Sequence, residues 1–197
     1  MSTTCEEQSA APPFVRKYTV LGRILHWATA ILFVAVLFIG FVMVNSPQHY
    51  ATLVRVHEAL GASVLGVVIV RVINRLTHQP PALPNTVGRV ERWLVNGSEM
   101  TLYALLIAQP VVGWAMVSAS GVPVVVFGHL RLPAIAPVDA AVFSVLRETH
   151  SALAYLLVAV VAAHVSAVLL HSITLGDRML RRMTLSPFRR QSRDESR

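Results

Sequence analysis

The chain has 197 residues, 54% of them hydrophobic and only 14% charged, with a mean hydropathy of +0.59. That length and composition exclude an ordinary soluble domain and predict a single all-α, integral membrane four-helix bundle. The net charge of +7 does not imply nucleic-acid binding, because the basic residues fall in loops and tails and not on an aromatic-rich face.

Residues 1–17 form a polar stretch expected to be a disordered cytoplasmic tail. Its Cys5 is the single cysteine of the chain, so no intrachain disulfide and no Cys-x-x-Cys-His haem attachment are available. Residues 1–15 lack a basic start, an apolar run and a small-residue cleavage site, so the first apolar helix is expected to stay as a signal anchor.

A bilayer core takes about 20 apolar residues per helix, and four stretches satisfy this: Leu21 to Val44, His57 to Leu76, Glu99 to Ser118, and Thr149 to Ile173. They define a transmembrane domain over residues 18–178, followed by a basic tail over 179–197. In the second stretch, Arg71 is expected to snorkel to the interface from the last turns. Pro110 interrupts the third stretch and predicts a kink beside Gly113. The third connection, roughly 119–148, holds Gly121, Pro123, Gly128, Pro133 and Pro137 around an apolar run. It is too long for a tight connector and reads as an interfacial segment, a lid or a passive link.

Arg16, Lys17, Arg23, Arg71, Arg75, Arg89, Arg92 and seven arginines from Arg178 to Arg197 belong to one side of such a bundle; only Arg55, Arg131 and Arg147 belong to the other. The positive-inside rule therefore puts both termini in the cytoplasm and the first and third connections outside.

Four histidines lie near the ends of these helices. His150 and His164 share the fourth helix fourteen residues apart, which is about 21 Å along the axis and within about 40° of one face. His26 lies one turn inside the cytoplasmic end of the first helix; His57 opens the second and His150 the fourth, at the outer surface. Matched depth pairs His26 with His164 and His57 with His150. Ionisable groups inside a bilayer are costly and mark functional sites, although a histidine can also hydrogen-bond between helices in a plain scaffold.

Zinc wants three or four ligands, and no cysteine or carboxylate accompanies either pair except Glu58 and Glu148 at the outer edge. Two opposed imidazoles suit haem iron, fill both axial positions and favour electron transfer over oxygen activation; without attachment cysteines the haem is b-type. Gly61, Gly66, Ala154, Ala162 and Ala163 would let a macrocycle approach the backbone, while Arg23 or Arg75 inside and Arg55 or Arg147 outside would meet its propionates. His171, seven residues after His164, reads as an interfacial bystander or a partner of a propionate or quinone carbonyl. His49, His78 and His129 read as solvated loop residues, with His129 placed to touch a substrate; Trp27, Trp93 and Trp114 fit interfacial belts.

The segment Tyr18 through Trp27, YTVLGRILHW, resembles the opening of the bacterial cytochrome b561 family. Arg55 to Leu76, RVHEALGASVLGVVIVRVINRL, resembles its second helix, and Glu148-Thr149-His150 followed after thirteen residues by His164 resembles its fourth. The V-F-G before a proline in the third connection is also similar. The likeness covers about residues 16 to 185, with departures at Thr149, where the family often has Trp, and at Leu170, where one of two adjacent histidines is missing.

This resemblance implies a four-helix cytochrome of the bacterial inner membrane with two b haems on His26, His57, His150 and His164, exchanging electrons with the quinone pool. Some members resemble superoxide oxidases, which implies an oxidoreductase passing electrons from superoxide outside to ubiquinone. The alternative is a haem b relay subunit anchoring a larger membrane dehydrogenase or hydrogenase as its redox partner.

Overall fold

The computed structural model describes residues 19–77 and 89–174, and the side chains of 19–77 and 97–170. The expected tails at 1–17 and 179–197, Cys5 and His78, and the side chains of Trp93 and His171, lie outside the described residues.

Four helices carry the fold: α1 (Val20–Asn45), α2 (Tyr50–Thr77), α3 (Arg89–Ala119) and α4 (Ala140–Thr174). Each is long and apolar enough to cross a membrane. Thr19 caps α1 by accepting from the Gly22 amide at 3.1 Å, and Asp139 caps α4 by accepting from Ala141 and Val142 at 2.8 and 2.9 Å. The helix α3 runs unbroken through Pro110, whose missing N–H costs one backbone hydrogen bond without ending the helix.

Two helices start earlier than their apolar runs. His57 is seven residues past the start of α2, and His150 ten residues past the start of α4. Neither histidine opens its helix as expected. The flanks Tyr50–Val56 and Ala140–Thr149 carry Arg55, Arg147 and Glu148, so hydropathy alone ends too soon, while the Asp139 cap sets the true start of α4.

The helices α1 and α2 pack as one hairpin and α3 and α4 as another, with α2 against α3 as the seam; α4 has no comparable backbone packing on α1 or α2. Ile31, Val34, Phe38 and Phe41 of α1 are all more than 60% exposed, an apolar outer face suited to lipid. Between helices in lipid the hydrophobic effect is absent, and close contact depends on shape and small residues.

A seven-residue register organises the interior into three layers. The middle layer is apolar: Val64, Leu106 and Leu157 are buried in the core cluster, and Phe33 packs against it. Seven residues toward the connections α1–α2 and α3–α4, here the loop end, stand Gly40, His57, Gly113 and His150. Seven residues the other way, toward the tail end, stand His26, Arg71, Glu99 and His164.

The connection between α3 and α4 is shorter than expected and ordered. Strands β1 (Val125–Val126) and β2 (Leu130–Arg131) form an antiparallel hairpin, and β1 packs on α2 with Val124 and Val126 buried. Trp114 donates its indole N–H to the Pro133 carbonyl at 2.9 Å, and Ser118 Oγ accepts from the Ile135 amide at 3.3 Å. The loop is thus pinned over the loop end of the bundle. At its tip Phe127 has φ 52° and Gly128 φ 76°.

Candidate functional site

At the loop end, α2 and α4 bring the rings of His57 and His150 face to edge, with centroids 6.3 Å apart and planes at 75°. Their neighbours explain this placement. A Cβ on Gly40 would stand 3.0 Å from His57 Cε1 and 3.4 Å from its Nδ1; a Cβ on Gly113 would stand 3.0 Å and 3.3 Å from the same atoms of His150. Each ring therefore lies in a notch that only glycine leaves open, one cut in α1 and one in α3. Both Nδ1 atoms are buried with no hydrogen-bond partner.

Gln109, one turn before Gly113, fixes His150. Its side-chain nitrogen donates to the His150 carbonyl oxygen at 3.1 Å and lies 3.2 Å from ring Nε2. A carbonyl only accepts, so the amide must present NH₂ there, and Nε2 in turn is the acceptor. The ring proton then sits on Nδ1. A metal taken up at Nε2 would use the lone pair that the Gln109 N–H now occupies, so that contact would have to open while the one to the His150 carbonyl stays.

At the tail end, Arg71 Nη2 lies 3.0 Å from His26 Nδ1, so here Nδ1 is the acceptor. His164 is within electrostatic range of both His26 and Arg71. The structure thus sets His57 against His150 ring to ring and places His26 and His164 in one layer at the tail end. Beside them Arg75 grips Glu99 with two bonds of 3.1 Å, so Arg75 is committed to a carboxylate of the chain. Arg71 does not snorkel as expected; it turns inward, because His26 and the Tyr103 ring, 5.1 Å from its guanidinium carbon, receive it there.

Of the small residues expected to shape the sites, Gly61 and Gly66 meet no atom that a Cβ would touch within 4 Å. The close glycines are Gly40 and Gly113. His49 and His129 are exposed, as expected of loop residues. Gln109, Gly40, Gly113 and Arg71 are the residues whose part in the site sequence reasoning missed. A signal for three of them exists: Gly40 follows His26, Arg71 follows His57, and Gly113 follows Glu99 by the same fourteen residues that separate His150 from His164.

Among the described residues there is no group of three or more His, Cys, Asp or Glu able to hold a metal ion by themselves. Fold and site together define a four-helix membrane protein with histidines set inside its bundle. The family model for prokaryotic cytochrome b561 matches residues 17–185. The chain is also 26% identical over 170 residues to Cytochrome b561 homolog 2 of Escherichia coli K12, covering 85% of this chain and 90% of that one. It is 25% identical over 173 residues to Probable superoxide oxidase CybB of Yersinia pestis, covering 85% and 96%.

The chain belongs to the prokaryotic cytochrome b561 family. It is therefore a bacterial membrane b-type cytochrome, and the family implies b-type haem. The residues fit that group. With metal–nitrogen bonds of about 2.0–2.1 Å, two imidazoles on opposite sides of one metal have centroids roughly 6 Å apart, close to the observed loop-end pair.

Proposed function

We propose that the chain binds two b haems, one between His57 and His150 and one between His26 and His164, and passes electrons from a donor at the loop end to ubiquinone. The observation that carries this is the loop-end pair, two imidazoles set against each other in glycine notches, with a second histidine of α4, His164, fourteen residues on toward the layer of His26. Haem b supplies a one-electron ferric/ferrous couple when bound.

The chain does the rest. His57 with His150, and His26 with His164, would hold the haem irons with imidazole nitrogens from both partners, a donor set suited to electron transfer. Gln109 anchors the His150 backbone through its carbonyl. The Phe33, Val64, Leu106 and Leu157 layer keeps water out from between the two sites. The distribution of arginines supports a loop end on the outer face of the inner membrane, with both termini in the cytoplasm.

Superoxide is the donor this reading favours, supported by the name of the Yersinia pestis relative. Two superoxide anions each give up one electron and leave as dioxygen; the two electrons and two protons convert one quinone to quinol.

The test is a superoxide pulse applied to purified, haem-replete protein with ubiquinone present. Rapid haem reduction followed by quinol formation is expected. Protein that neither reduces its haem nor forms quinol, and that copurifies with a larger dehydrogenase, would overturn the reading in favour of a relay subunit.

A further inference from the structure

The tail-end layer holds more charge than two ligand histidines require. Arg71 contacts His26 Nδ1 at 3.0 Å and stacks on Tyr103, neither of which carries a negative charge. The carboxylate of the layer, Glu99, is engaged elsewhere: both its oxygens bond Arg75 at 3.1 Å, and Oε1 also accepts from the Tyr103 hydroxyl at 3.3 Å. Among the described residues Arg71 has no carboxylate within salt-bridge distance. Among the described residues, Arg71 and Arg75 have one carboxylate between them in this layer, which leaves at least one surplus positive charge beside His26 and His164, with Arg23 a turn away on α1. At the loop end the corresponding positions of the register are Gly40 and Gly113, which carry none.

The geometry points to Arg71 as a positioning residue that gives the tail-end centre the higher reduction potential of the two, drawing an electron that enters at His57 and His150 toward His26 and His164. This rests on the reading that each histidine pair holds a haem. Reduction adds one negative charge at the centre. A guanidinium that stays protonated stabilises the reduced form, and a membrane interior screens that attraction weakly. When Nε2 of His26 ligates, its proton moves to Nδ1. Arg71 and Nδ1–H are then both donors, so the 3.0 Å contact opens, while the guanidinium charge itself remains in the layer.

The experiment is a spectroscopic redox titration of the purified holoprotein, as wild type and as R71Q, R71K and E99Q, with H57A and H164A identifying which potential belongs to which site. R71Q is expected to lower the potential of one haem only, the one lost in H164A. R71K, which keeps the charge, is expected to retain most of the wild-type value. E99Q, which removes the compensating carboxylate, is expected to raise the same potential. A merely structural role would not give opposite signs.

A two-haem R71Q protein with wild-type potentials, or R71Q and E99Q shifting in the same direction, would overturn the inference while leaving the haem reading intact. If R71Q fails to hold its tail-end haem, an E99Q potential at or below the wild-type value overturns the inference equally, and a raised one beside a near-wild-type R71K supports it. A wild-type protein without haem would sink the haem reading and this inference with it.

Discussion

Gly113→Ala is the sharpest perturbation of the loop-end site. The new methyl would stand 3.0 Å from His150 Cε1 and 3.3 Å from Nδ1. Optimal carbon–carbon contacts lie at about 3.5–4.0 Å, so the ring or helix α3 must retreat by roughly 0.5 Å. Overpacking of this kind costs about 1–3 kcal/mol. If that cost falls on the haem-bound state, affinity at this site drops by roughly 5- to 150-fold, at about 1.4 kcal/mol per tenfold. The assay is haem titration of the apoprotein with pyridine haemochrome quantification, beside Gly97→Ala, whose Cβ meets nothing within 4 Å. Gly113→Ala is expected to lose one haem selectively and Gly97→Ala neither. Wild-type affinity and content in Gly113→Ala would refute the idea that the glycine notch places the ligand.

Three further outcomes follow from the same structure. Gln109→Leu removes the donor that holds the His150 carbonyl, a loss of about 0.5–1.5 kcal/mol, and should weaken loop-end haem binding up to about tenfold; unchanged affinity would mean the amide does not anchor this stretch of α4. Leu157→Asn puts an amide where the side chain is 3% exposed and should lower holoprotein stability by about 2–4 kcal/mol in a thermal or denaturant melt, with no shift contradicting a tightly packed middle layer. Phe127→Gly relieves a left-handed backbone of about 1–2 kcal/mol at φ 52°, so its melting temperature should hold or rise, whereas a fall would show that the phenyl ring itself anchors the hairpin.

The four spans and the pairing of the histidines were legible because both depend on one-dimensional spacing. Apolar runs of membrane length mark α1 to α4, and a separation of fourteen residues places His150 and His164 on one face. Helix starts were not legible at His57 and His150, because the preceding turns carry Arg55 and Arg147 and look like loop on a hydropathy scale. Gln109 and Arg71 were missed for a different reason: each matters through one contact made across helices, and composition cannot show which way a side chain turns. Gly61 attracted notice by lying one turn from His57 along the chain. The glycines that press on the ligand rings, Gly40 and Gly113, come from neighbouring helices. The repeated fourteen-residue register on all four helices was present in the sequence, and it becomes meaningful only once the bundle sets those positions in common layers.

Whether each histidine pair holds its own haem is decided by haem content per chain, by pyridine haemochrome, in protein purified alone from membranes as wild type, His57→Ala and His164→Ala. Two b haems in the wild type and one in each variant, with different spectra remaining in the two variants, is the predicted result. A wild-type chain with no haem, or two haems surviving loss of either histidine, would contradict the assignment of one haem to each histidine pair.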